Sequence, residues 1–256
     1  MSPNPSDPSP GETGPHESSV DREVGRAEQE IVAAIVPAWR RLTEGESRWP
    51  ATLAILLMIG LQLKVPDDLT PTGRYLLPLL EILLLVVLVA VNPRRINRRS
   101  PAIRLLGLTL IGVASFFNAW SVLRLVKGLV VGGVGTIGSD AGTLLATGGN
   151  IWVTNIIIFA LWYWELDRGG PGSRATGDDP DPDFLFPQMS ETSIDFHHWE
   201  PEFVDYAYVS FTNAAAFSPT DTMPLSRWAK LAMLVQSAIS LATAVLVIAR
   251  AVNILH

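Results

Sequence analysis

The sequence predicts an all-α fold, a polytopic transmembrane helix bundle of five spans plus one re-entrant or short sixth helix. Three observations carry that expectation. The apolar residues gather into long uninterrupted runs rather than alternating with polar ones. Charged residues make up 17% of the 256 positions and hydrophobic residues 48%, whereas a soluble domain usually carries about 25% charged residues. A further apolar stretch before the last run is too short and too polar for an ordinary crossing, and a proline stops it. A soluble globular enzyme is therefore disfavoured. The net charge of -6 argues against nucleic acid as a partner, and the absence of cysteine removes disulfides, thiolate metal sites and cysteine nucleophiles.

Residues 1–20 are rich in Pro, Ser and Gly with no apolar period, so they are expected to form a disordered tail. They lack the basic, apolar and small-residue regions of a signal peptide, and the tail should stay on the protein. Residues 21–46 read as an amphipathic interfacial helix. Val24, Ala27, Ile31, Ile35 and Trp39 recur every three or four positions among charged residues, with a bend near Pro37 and Trp39 as an anchor. The same pattern also suits a helix packed on the rest of the protein.

Residues 49–164 form a four-helix transmembrane region with spans at Trp49–Val65, Tyr75–Val91, Leu105–Val126 and Thr143–Trp164. The first two are short and call for little tilt or some local thinning of the bilayer. Trp49, Tyr75, Trp162, Tyr163 and Trp164 lie near span ends, as an interfacial belt would place them. Residues 165–202 read as a polar acidic loop, solvated, with Asp178, Asp179, Asp181 and Asp183 separated by prolines. That run has neither the glycine turn nor the bidentate glutamate of a calcium loop. Residues 203–256 hold the short polar helix, a loop and the final span, Leu231–Ala249.

Orientation follows from the basic residues. Arg94, Arg95, Arg98, Arg99 and Arg104 crowd one short loop without an acid; placing it in the cytoplasm puts the N-terminus, residues 165–230 and most other arginines there too. Only Lys64, Arg74, Arg124, Lys127 and Arg250 are left outside, near span ends where Arg124 and Lys127 can snorkel. The localisation implied is a bacterial-type plasma membrane, with the lipid bilayer as the first partner.

The segment 203–224, FVDYAYVSFTNAAAFSPTDTMP, carries the most information. Asp205, Tyr208, Ser210, Phe211, Asp221 and Pro224 fall at the spacing of the pore segment in two-transmembrane potassium-channel pore domains, which this chain resembles over about residues 143–255. The resemblance implies a pore helix, a filter loop and an inner helix, assembled as a homo-oligomer around a monovalent cation. Asn213, Ser218, Thr220 and Asp221 would then face the axis. The filter itself departs from the pattern: Ala216, Phe217, Ser218, Pro219 and Thr220 contain no glycine, so a potassium-type carbonyl ring cannot be built from them. The spacing with Thr220 and Asp221 is also similar to a family of uncharacterised bacterial membrane proteins. The arginine bias adds a conflict, because it places residues 203–224 inside whereas a channel pore loop faces outside. Either the charge rule fails, or the segment crosses fully as a sixth span, or it is not a channel pore. A non-conducting scaffold or partner-binding protein is the alternative function.

Ionisable and polar residues within spans are the other candidates. Glu81 would cost about 2.5–3.5 kcal/mol as an unpaired carboxylate, which suggests either a proton or cation step or a structural pair with Asn or Arg on a neighbouring helix. Asn118, Asn150, Asn155 and Gln236 suit interhelical hydrogen bonds or the lining of a pathway. Gly133, Gly135 and Gly138 spell G-x-G-x-x-G without the strand and helix a dinucleotide site needs, and read as a turn. His197 and His198, beside Asp195 and Glu200, point apart as neighbours in an extended chain and make a poor metal pair. No catalytic arrangement, metal site or cofactor is indicated.

Overall fold

The computed structural model describes residues 38–40, 45–71, 74–91, 95–96, 100–131, 140–177, 181–190, 199–215 and 221–255. They are mostly helical. The helices are α1 (Trp49–Gln62), α2 (Leu76–Val91), α3 (Pro101–Val131), α4 (Ala141–Leu166), α5 (Pro171–Thr176), α6 (Pro187–Ser190), α7 (Phe203–Ala215) and α8 (Arg227–Leu255). Two small antiparallel pairs join them, β1 (Glu46–Ser47) with β2 (Arg95–Ile96) and β3 (Phe184–Leu185) with β4 (Met223–Pro224). α3, α4 and α8 are each long and apolar enough to cross a membrane, and α1 and α2 are shorter apolar helices.

Local chemistry sets the helix ends. Pro50 opens α1, where a missing N–H costs nothing. The Asp140 carboxylate accepts the Thr143 N–H at 2.6 Å and caps α4, and the Thr143 side chain, together with that N–H, holds the carboxyl below its usual range. α4 stops at Leu166 because the chain turns through Arg168 at φ 51°, a left-handed conformation uncommon outside glycine, followed by Gly169 and Gly170 at positive φ.

The distribution of polarity is inverted relative to a soluble protein. Leu53, Leu79, Leu83, Leu123, Leu231 and Leu234 face outward, while Gln62, Glu81, Asn155 and Gln236 are fully or almost fully buried. α4 is the central helix, packed against α1, α3, α7 and α8. Gly148 lets α4 and α8 approach closely: a Cβ there would sit 2.8 Å from both methyl carbons of Val247.

Specific contacts define two ends of the bundle. At the proximal end the β1–β2 pair joins the start of α1 to the segment after α2, Gly107 of α3 faces Glu165 of α4, and the Trp228 indole of α8 donates to Asp183 at 2.7 Å. At the distal end Ser121 and Arg124 of α3 donate to the carbonyls of Leu69 and Asp68, in the turn between α1 and α2. Arg48, Arg104, Arg168, Arg174 and Arg227 therefore share the proximal end, and Lys64, Arg74 and Arg124 the distal one.

α7 does not traverse the bundle. It starts at the proximal end with Phe203 edge-on to Trp164, and by Ser210 it has reached the Ile156 carbonyl, ten residues back along α4. β4 then pairs with β3 at the proximal end again. The described chain thus enters the bundle from the proximal end along α7 and is at that end again in β4.

Three expectations need correction. Trp39 is no membrane anchor: it is buried, with its ring 5.6 Å from the Arg168 guanidinium. The rest of the expected interfacial helix, residues 21–37, lies outside the described residues. The described part of 165–202 is not a solvated loop, because Asp167, Arg168, Arg174, Phe184 and Phe186 are all buried there. Tyr163 and Trp164 are buried as well and contribute nothing to an outer aromatic belt, unlike Trp49 and Tyr75, which are exposed.

Candidate functional site

The polar face of α7 meets α4 and α8 in one hydrogen-bond network with Gln236 as its hub. Gln236 Oε1 accepts from the Tyr163 hydroxyl at 2.6 Å and from Asn213 Nδ2 at 2.8 Å. Its Nε2 donates to the Ser210 hydroxyl oxygen at 2.7 Å and to the Ser210 carbonyl at 2.9 Å. Ser210 in turn donates to the Ile156 carbonyl at 2.7 Å. Asn213 Nδ2 also reaches the Met233 carbonyl, and the Ser237 hydroxyl donates to Asn213 Oδ1 at 3.0 Å. Every polar atom of the Gln236 side chain is satisfied inside one chain, as a buried amide requires.

A second layer continues distally. Asn118 Nδ2 donates to Asn155 Oδ1 at 3.2 Å, and Asn155 Nδ2 donates to Ser240 at 3.1 Å, linking α3, α4 and α8. Asn118, Asn155 and Gln236 thus act as interhelical ties. Asn150 is half-buried and makes no hydrogen bond among the described residues.

The remaining residues of the pore-like segment scatter. The Asp205 carboxylate accepts the Glu202 N–H at 2.8 Å and caps the start of α7. Tyr208 and Phe211 are exposed on the far side of α7 from the network, Phe211 in an edge-on contact 6.1 Å from Trp152. Asp221 is exposed at the proximal end, and Pro224 pairs with Phe184 in the β3–β4 ladder. Ser218 and Thr220 lie outside the described residues, as do Gly133, Gly135, Gly138, His197 and His198. Among the described residues no group of three or more His, Asp or Glu side chains is placed to hold a metal ion.

Glu81 is fully buried near the distal end, with Gln62 of α1 as its polar neighbour. No oxygen or nitrogen of either side chain reaches a partner at hydrogen-bond geometry, so the expected structural pair with Asn or Arg is not formed among the described residues.

Sequence reasoning missed a buried ionic cap at the proximal end. Arg174 Nε pairs with Glu46 at 2.7 Å, and its Nη1 donates to the carbonyls of Trp164 and Asp167. Glu46 also accepts the Trp164 indole at 2.6 Å. The Asp167 carboxylate accepts the Tyr206 hydroxyl at 2.6 Å and the Asp183 N–H at 2.8 Å, which fastens α7 and the β3 segment to the end of α4. Pro171 at a helix start and Gly177 past its end were the available signals for α5.

No protein-family model, curated protein or solved structure matches the chain. The fold and site define a helical protein with three apolar helices fit to cross a membrane.

Proposed function

We propose that the chain is an integral plasma-membrane protein with five crossings, α1, α2, α3, α4 and α8, a cytoplasmic N-terminus and α7 re-entrant from the cytoplasmic side. In this reading it is a non-conducting scaffold or partner-binding protein, and α7 is a wedge that fixes α4 against α8. At 1.5 Å per residue α1 and α2 span roughly 20–25 Å, short of the ~30 Å hydrocarbon core, so the bilayer thins beside them. The basic residues gathered at the proximal end support the orientation.

The observation that carries the non-conducting reading is the Gln236 network. An ion pathway needs polar groups left over to replace the hydration shell, whereas Ser210 and Asn213 spend theirs on α4 and α8. The outward face of α7, with Val204, Tyr208 and Phe211, is apolar and suits lipid or a second copy rather than an ion. The test is cation efflux from vesicles reconstituted with the full chain. Efflux of K+ and Na+ equal to that of empty vesicles is expected. A sustained efflux that Asn213→Ala abolishes would instead establish the channel reading.

A further inference from the structure

A cavity of about 220 Å3 opens at the proximal end between α1, α3, α4 and the turn before α5. Ile55, Leu88, Ile111 and Leu161 make its inner wall apolar, and Glu165 stands at its mouth. At 1.5 Å per residue Leu161 lies about 6 Å deeper than Glu165 along α4, and Ile111 about 6 Å deeper than Gly107 along α3. The volume is below the roughly 300–1,000 Å3 of drug-sized pockets and suits one alkyl tail rather than two.

Glu165 is only 8% exposed, and no donor reaches its carboxylate at hydrogen-bond distance among the described residues. Two glycines keep it bare: a Cβ at Gly107 would sit 3.6 Å from Oε1, and one at Gly170 would sit 3.7 Å from the same atom. The guanidinium groups of Arg174, Arg104 and Arg48 act on it electrostatically, with Glu46 opposing them. None of these arginines is needed as a ligand. Arg48 has a partner of its own. Arg174 bonds Glu46 and two carbonyls, keeps a buried Nη2 without a hydrogen-bond partner, and does not line the cavity. Their charge nevertheless selects the head of a ligand. A cation would enter a field that three guanidinium groups make positive, and an anion would set a second negative charge beside Glu165. A neutral hydroxyl meets neither cost and supplies the donor that the carboxylate lacks.

We propose that this cavity binds a neutral single-tailed amphiphile with a hydroxyl head, a long-chain alcohol in its simplest form. Its O–H donates to the Glu165 carboxylate, and its tail lies along Leu161, Ile111 and Ile55. One placed polar group above an apolar wall is the usual composition of a small-molecule site. A tail of the same length without an O–H leaves the buried acceptor unsatisfied and binds more weakly. The head chemistry is shared by soluble alcohols; the apolar inner wall favours the tailed ligand, and the membrane is its source. The inference rests on the membrane reading above for that source.

The experiment is a thermal-shift titration of the full chain in micelles of an amine-oxide detergent, which has no hydrogen-bond donor. The ligands are oleyl alcohol, its methyl ether, oleylamine, oleate and soluble ethanol. Oleyl alcohol is expected to bind saturably and at least about ten-fold more tightly than each of the others. Glu165→Met erases the preference over the methyl ether, which has the same tail and no O–H. Gly107→Ala keeps the carboxylate but lays a methyl against it, and weakens oleyl alcohol binding by about ten-fold. Its unfolding midpoint does not fall, because alanine suits a helix better than glycine. That variant decides the matter should Glu165→Met fail to fold. Equal binding of the alcohol and its methyl ether, tighter binding of oleylamine or oleate, ethanol matching the long tail, or indifference to Gly107→Ala overturns the proposal. None of those results touches the membrane reading, which label accessibility and vesicle efflux test separately.

Discussion

The Tyr163 hydroxyl donates to Gln236 Oε1 at 2.6 Å, joining α4 to α8 at the level where α7 dips into the bundle. The same oxygen accepts from Asn213, so one amide ties three helices. Gln236→Leu removes the bonds to Tyr163, Asn213 and Ser210 at once and takes from the Tyr163 hydroxyl its acceptor. It should cost about 2–4 kcal/mol, at roughly 1 kcal/mol for each lost buried bond, read as a lowered unfolding midpoint in detergent. In a double-mutant cycle with Asn213→Leu the two losses should fall short of additive, because they share the bond. Additive losses would mean the network is not coupled.

The Glu46–Arg174 pair is buried on both sides. Arg174→Met leaves Glu46 charged and without its partner and is expected to cost about 3–5 kcal/mol. Adding Glu46→Met should recover most of that loss, with a remainder of about 1 kcal/mol from the orphaned Trp164 indole. Chemical denaturation of the single and double variants distinguishes this from a pair that matters only for packing, for which the second substitution would deepen the loss.

Gly148 and Gly149 are neighbours with opposite surroundings. Gly148→Ala drives a methyl into Val247 and should destabilise by about 1–3 kcal/mol, with Val247→Ala restoring most of it. Nothing lies within 4 Å of a Cβ at Gly149, so Gly149→Ala should stabilise by about 0.5–1 kcal/mol through helix propensity alone. Thermal unfolding of the three variants reads the difference.

Glu81 has two buried oxygens without hydrogen bonds. Replacing it by methionine removes them and keeps the volume, so Glu81→Met is expected to raise stability by about 1–3 kcal/mol. A loss of stability would show that the carboxyl has a partner, and a change in vesicle proton uptake without one would point to a proton step.

The helices were legible because apolar runs need no long-range information. Thr143–Trp164 as a span became Ala141–Leu166, and Leu231–Ala249 became Arg227–Leu255, extended at both ends by residues that a hydropathy reading clips. The short helix α7 was legible for the same reason, a short apolar stretch interrupted by Ser210 and Asn213. Asn118, Asn155 and Gln236 were picked out as polar residues within spans, and three-helix ties are what they form. The proximal cap was not legible. Glu46 and Arg174 are 128 positions apart, and charged residues in a Gly- and Pro-rich stretch look solvated until their partners are known. Trp39 misled for a related reason: an aromatic on an amphipathic face suits lipid and Arg168 equally well.

The topology itself is open to direct measurement, since the chain contains no cysteine. Single cysteines at Ser47, Asp68 and Met223, all exposed, can be probed with a membrane-impermeant maleimide in intact cells. Asp68→Cys should label from outside, while Ser47→Cys and Met223→Cys stay protected until the cells are opened. Labelling of Met223→Cys together with Asp68→Cys would mean that α7 crosses completely, and would contradict the re-entrant, cytoplasm-facing arrangement.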